Sequence, residues 1–208
     1  NTDGFMNTNI KSIIDYDKPI VGYACTAKIS AKKPATKEQD ALKDPYFKMV
    51  SKAQKPSIMV IEDLDDEPIG CYFGGTMSSI HMAFSCKGLV TNGGVRDIDE
   101  VESLGFQFHA SHILVSHAYV HLEDIDCKVN VGGLEIEPGD LIHADKHGIV
   151  KIPLEIAPEL INACREVVEA EEKLVRECRN RIETGIELDY LKELQNEMYT
   201  LRDRNRKK

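Results

Sequence analysis

Apolar residues follow two rhythms along this chain. Up to about residue 153 they come in short, β-branched runs: IVGYACTAKI (20–29), SIMVIEDL (57–64), GLVTNG (88–93) and FQFHASHILV (106–115), then CKVNVGGLEIEPGDLIHADKHGIVKIP (127–153). Runs of this length, bounded by Gly, Pro and Asp, predict strands. Helix-spaced stretches lie between the first three, around 38–53 and 76–86, and strands alternating with helices predict an α/β core with parallel pairing. In the later segment strands follow one another through GG, PGD and KHG, which predicts antiparallel hairpins. The sheet system is therefore mixed.

From Leu154 the period becomes helical. Leu160, Ala163, Val167, Ala170, Leu174 and Val175 share one face of a long charged helix predicted to stop at Gly185, and Leu188, Leu191, Leu194, Met198 and Leu201 stripe a second. The organisation predicted is an α/β domain over 1–153 and a helical extension over 154–208. Both apolar stripes need cover, which their own domain or a neighbouring subunit would supply.

Composition narrows the function classes. A length of 208 residues suits one domain with an appendage. A net charge of −9 opposes broad nucleic-acid binding, which needs a cationic surface. The terminal RDRNRKK reads as a solvated end. No apolar run approaches the roughly 20 residues that cross a bilayer. Cys25, Cys71, Cys86, Cys127, Cys164 and Cys178 form no CxxC pair and read as reduced, buried thiols. That composition predicts a cytoplasmic protein.

The densest chemistry is in TNGGVRDIDEVESLG (91–105). As local structure, Asp97 and Glu100 have capping-box spacing, Val101 and Leu104 give the next helix its apolar face, and Gly105 ends it. As chemistry, a strand entering GG and then a helix leaves Arg96 and Asp97 at a sheet end, where α/β proteins keep ligands. A carboxylate there can hold a hard divalent cation, and a guanidinium can grip a carboxylate or an oxyanion. CYFGGTMSSI (71–80) is a second glycine-paired junction whose free amides suit an anion. His109, His112, His117 and His121 match no closed zinc spacing and read as a crowded set titrating near neutrality, placed to line the Arg-Asp pocket. Asp145 reads as a turn residue. No Gly-rich cofactor loop followed by an acidic residue supports methyl transfer.

The segments IVGYACTAKI, GGTMSSIHMAFSCKGLVTNGGVRDIDEVESLGF, VNVGGLEIEPGDLIHADKHGIVKIP and ETGIELDYL resemble the RraA-like family. That family includes class II 4-hydroxy-4-methyl-2-oxoglutarate aldolases and the regulator of ribonuclease activity A, and its members are often mislabelled menaquinone methyltransferases. The resemblance implies a compact α/β/β/α sandwich of the swivelling β/β/α type with a C-terminal helical arm. It also implies trimers or hexamers with sites at subunit interfaces. The implied activity is a metal-dependent lyase that cleaves small 2-oxo acids through a pyruvate enolate. Asp97 would bind Mg²⁺ or Mn²⁺, Arg96 would contact the keto oxygen, and Gly74, Gly75, Thr76 and Met77 would hold the pyruvyl carboxylate. Glu100 matches the family's acidic residue after the Arg-Asp pair, and Glu172 or Glu177 would reach a neighbouring subunit. One position departs: the family's aldolases carry an aspartate where this chain has Gly75. Oxaloacetate decarboxylation, through the same enolate, demands less proton handling. A non-catalytic regulatory or binding protein on the same scaffold is the alternative.

Overall fold

The computed structural model describes residues 4–206, with side chains to residue 203, so the last residues of the basic terminus lie outside it. Contacts divide the chain into two units that meet between Pro153 and Leu154.

The first unit runs β1 (Lys11–Ser12), β2 (Ile20–Ser30), α1 (Lys37–Asp40), α2 (Lys43–Lys52), β3 (Ser57–Asp63), α3 (Gly75–Ala83), β4 (Cys86–Val95), α4 (Ile98–Leu104) and β5 (Gln107–Ile113). It continues with β6 (His121–Ile125), β7 (Val129–Val131), β8 (Leu134–Ile136), β9 (Leu141–Asp145) and β10 (Gly148–Ile152). The main sheet has the order β1-β5-β4-β3-β2-β9-β10, with β6 also on β2. Strands β2 to β5 pair in parallel and the others antiparallel, while β7 and β8 form a separate hairpin. The fold is mixed α/β.

Strand β3 shows why the sheet is central. Its residues are buried almost without interruption, the pattern of a strand covered on both faces. Met59 and Ile61 join Tyr46, Phe73, Val101, Phe106 and Phe108 on the helix-covered face. Ile58 and Val60 join Val90, Val129, Val131, Ile136 and Ile142 on the face covered by the β7–β8 hairpin. A side-chain period of two thus feeds two cores from one strand.

The helix expected over 38–53 is two helices. A capping box starts α1, with Gln39 N donating to Thr36 Oγ1 at 3.2 Å and Thr36 N to Gln39 Oε1 at 2.7 Å. Pro45 then has no N–H to offer the Ala41 carbonyl, so the segment restarts with proline in the first turn of α2. The cysteine expectation also needs correction. Cys25, Cys71 and Cys86 are buried, Cys127 and Cys178 are half-buried, and Cys164 is exposed.

The second unit is a helical hairpin of α5 (Ala157–Asn180) and α6 (Leu188–Arg206). The first helix ends ahead of Gly185, which instead takes a positive φ of 77° in the connection. Ala170, Leu194 and Met198 are buried along the seam. Lys173 pairs with Glu197 at 2.6 Å and Arg202 with Glu171 at 3.5 Å. Ile161, Val168, Val175 and Ile182 stay exposed. Among the described residues, no helix is long and apolar enough to cross a membrane.

Candidate functional site

The two glycine-paired junctions interlock. Asp97 begins α4 in the left-handed region, φ 59° and ψ 43°, and makes no side-chain cap to its own helix. The capping-box expectation is therefore overturned. The left-handed backbone turns the carboxylate away from α4, and Oδ2 accepts instead from Gly75 N, in the first turn of α3, at 3.0 Å. Asp97 still begins its own helix through the backbone, its carbonyl accepting from Val101 N at 3.0 Å.

The glycines at 74 and 75 make room for this arrangement. A Cβ on Gly74 would collide with Asp97 Oδ2, and one on Gly75 would collide with the carboxyl group of Glu100. Two carboxylates from α4 thus lie over consecutive residues at the N-terminus of α3, where the helix dipole favours negative charge. Since Gly75 N is already engaged, the first-turn amides left for a ligand are those of Thr76 and Met77. The anion cradle is narrower than the sequence implied.

Arg96 is held beside these groups. Its Nη1 donates to Cys71 O at 3.1 Å, its backbone N donates to Phe73 O at 3.3 Å, and its Nε lies 3.7 Å from Asp97 Oδ2. The Arg96 and Asp97 side chains are 30% and 40% exposed, so both reach solvent. The thiol of Cys71 is pushed up to about 11 by burial, against the lowering pull of Arg96, and stays protonated. No three His, Cys, Asp or Glu side chains among the described residues are placed to share a metal. A carboxylate pair suits a hard cation that keeps most of its water, as Mg²⁺ does.

The four histidines are dispersed, and none bonds to Arg96, Asp97 or Glu100. His109 is buried and its Nε2 meets Asp145 O at 3.1 Å, with burial lowering its basicity. His112 is exposed beside Ser111 Oγ at 2.6 Å. His121 is buried between Tyr119 O at 2.8 Å and Glu123 Oε1 at 3.0 Å, and His117 is exposed. Asp145 closes its turn by accepting from His147 N at 2.8 Å. Of the two glutamates in the arm, Glu177 is bound by Arg181 and by Tyr190 OH within its own hairpin, whereas Glu172 is exposed with no side-chain partner among the described residues.

Two buried groups escaped the sequence reading. Asp63, at the end of β3, leaves Oδ2 without a hydrogen-bond partner among the described residues, and burial raises its pKa to about 6. Its only signal was an acidic residue closing the apolar run SIMVIED. His81, on α3, lies 2.7 Å from Met77 O through Nδ1 and 2.8 Å from Tyr46 OH through Nε2. A carbonyl can only accept, so Nδ1 carries the proton and Nε2 accepts from the tyrosine. Burial lowers the His81 pKa to about 4 and keeps the ring neutral.

Comparisons with known proteins show the family and the fold. The RraA-like family profile, described as Aldolase/RraA, matches residues 2–151, and the chain belongs to that family. It is 30% identical over 181 residues to the uncharacterized protein MJ0644 of Methanocaldococcus jannaschii, covering 86% of this chain and 80% of that protein. A shorter match, 35% identical over 69 residues, covers 32% of this chain and 42% of a Pseudomonas aeruginosa protein named "Putative 4-hydroxy-4-methyl-2-oxoglutarate aldolase". In fold, the chain is similar to Streptomyces coelicolor RraAS2, described as an unusual member of the RNase ES inhibitor RraA protein family. That similarity has a TM-score of 0.66 at 20% identity, over 81% of this chain and 82% of that one.

Proposed function

We propose that this chain is a divalent-metal-dependent lyase acting on small 2-oxo acids, as a 4-hydroxy-4-methyl-2-oxoglutarate-type aldolase, an oxaloacetate decarboxylase, or both. The observation that carries the reading is the convergence of Asp97, Glu100 and Arg96 on the first turn of α3. The substrate's carboxylate would sit on the amides of Thr76 and Met77. Arg96, steadied by Cys71 O, would point its remaining N–H groups at the keto oxygen. When the C–C bond breaks, its electron pair moves onto that oxygen, and a fixed cation beside it lowers the barrier. Mg²⁺ or Mn²⁺ held by Asp97 would add Lewis-acid polarisation there.

Glu100 answers the departure at Gly75. Its carboxyl group occupies the space a side chain at position 75 would fill, so a carboxylate remains available to handle the proton that converts enolate to pyruvate. A second reading, a binding protein without chemistry, draws support from the hydrogen bond that Asp97 accepts from α3. On that reading the pair only pins α3 to α4.

The two readings part at Asp97→Asn, which keeps an oxygen for Gly75 N but removes the charge. Pyruvate release from oxaloacetate and from 4-hydroxy-4-methyl-2-oxoglutarate would be followed by coupling to lactate dehydrogenase, with Mg²⁺, with Mn²⁺ and with EDTA. A lyase releases pyruvate only with metal, and both Asp97→Asn and Asp97→Ala reduce that release by at least about 10²-fold. Only the alanine variant should also lose about 1 kcal/mol of stability, with the lost cap. Absent release in a folded wild type would leave the binding reading, and metal-independent release would overturn the role given to the metal. The exposed stripe on α5 supports a homotrimer or hexamer, with Glu172 rather than Glu177 free to reach a neighbour's site. Sedimentation of the full chain tests this. Free thiols support a cytoplasmic setting.

A further inference from the structure

The opposite face of the same strand ends holds a cavity of about 560 Å³, within the usual range for small-molecule sites. Five separate segments wall it, and none carries a motif. Asn7, Asn9 and Lys11 come from the N-terminal segment, Asn92 from β4, Ser111 and His112 from β5, and Asn130, Gly132 and Gly133 from the β7–β8 hairpin, with Asp65 and Asp66 closing one side. The hairpin covers the sheet face away from α3 and α4, so the cavity is separate from the Arg96–Asp97 site.

Its floor is rigid and its rim is free. Asn92 is clamped by the Asp63 backbone, accepting from N at 2.8 Å and donating to O at 2.8 Å. A register shift between Thr91 and Gly94 sets two residues, Asn92 and Gly93, against Ser111, and bulges of this kind re-aim side chains near functional sites. The Ser111 hydroxyl lies at the Asn92 and Gly93 carbonyls and at His112 Nδ1. The Asp65 carboxylate is occupied by Ser30 Oγ at 2.9 Å and Ala31 N at 2.8 Å, and Asp66 faces Lys32 at 3.7 Å. By contrast, the side chains of Asn9, Lys11 and Asn130 have no partner among the described residues.

We infer that this cavity binds a neutral, polyhydroxylated small molecule, a polyol or a monosaccharide. Carboxamides carry a donor and an acceptor side by side, which matches a vicinal diol. Lys11 is the one lysine or arginine among the wall residues, which leaves no cluster of cations to select a phosphate or a di-acid. A fixed floor lowers the ordering cost of binding.

The test is saturation-transfer NMR and calorimetry on the full chain, with glucose, mannitol, gluconate and inorganic phosphate as probes. Variants Asn9→Ala and Asn130→Ala sit on the exposed rim, and circular dichroism would confirm their folds. The expected result is binding of glucose or mannitol, weakened at least tenfold in each rim variant, with pyruvate release unchanged. Binding of gluconate or phosphate in preference to both neutral probes would overturn the ligand class. Neutral-probe binding that ignores the rim variants, or none at millimolar concentration, would overturn the site.

Discussion

Two glycine pairs stand at two strand-to-helix junctions, and they solve different problems. Gly74 and Gly75 lie under the carboxyl groups of Asp97 and Glu100, at a half-exposed helix start. Gly93 and Gly94 lie under Asp63 and Leu114, inside the sheet. In the first pair the missing side chains make room for charge that water and a helix dipole can stabilise. In the second they admit a carboxyl group whose Oδ2 finds no partner among the described residues. The same residue type therefore makes space for solvated charge at one junction and for a reluctant buried acid at the other, and solvent access separates the outcomes.

The sharpest way to break this comparison is chemical. Glu100→Gln keeps the size of the group over Gly75 but removes its charge, and it should lower pyruvate release about 10²-fold while moving the melting temperature little. Unchanged turnover would reduce Glu100 to a space filler.

Next in size is the pH dependence of stability. Asp63 moves from 3.8 to about 6 on folding, so the folded state holds its proton longer, and stability falls as pH rises from about 4 to 6. His81 moves from 6.5 to about 4, so the unfolded state takes its proton first, and stability rises over nearly the same window. Each shift of roughly two units is about 3 kcal/mol, and the two oppose each other. Asp63→Asn should thus unmask a rise in stability between pH 4 and 6.5 and leave the protein more stable than wild type at pH 7. Denaturant titrations across that range check it; a profile parallel to wild type would refute it.

The smallest effect compares one substitution at both junctions. Gly93→Ala places a methyl 2.9 Å from Asp63 Oδ2 in a site that cannot relax, at a cost of about 1–3 kcal/mol. In Gly75→Ala the exposed Glu100 can swing into water, so the cost should stay below about 1 kcal/mol. Melting midpoints of the two variants decide between these values.

Much of the fold was legible because local chemistry and global role agreed. The β-branched runs became strands, the turn residues GG and KHG joined hairpins, and Asp145 closed its turn. The errors came where tertiary contact overrode a local pattern. Asp97 and Glu100 have the spacing of a capping box, but a left-handed backbone at Asp97 sends the carboxylate to another helix. Nothing in the string GGT announces that Glu100 will lie over Gly75. The polar cavity was invisible for a plainer reason, since its walls come from five segments far apart in the sequence.

Strand β2 has a consequence for how the chain is made. One edge pairs with β3 from Tyr23 to Ile29, while the other is shared by β9, at Ile20 to Tyr23, and by β6, at Ala27 to Ser30. Both partners of that second edge lie far downstream. At ordinary translation speeds roughly ten seconds separate the emergence of β2 from that of β9. Through that interval the nascent chain exposes an open, apolar strand edge, so crowding on the ribosome is a hazard written into the strand order itself.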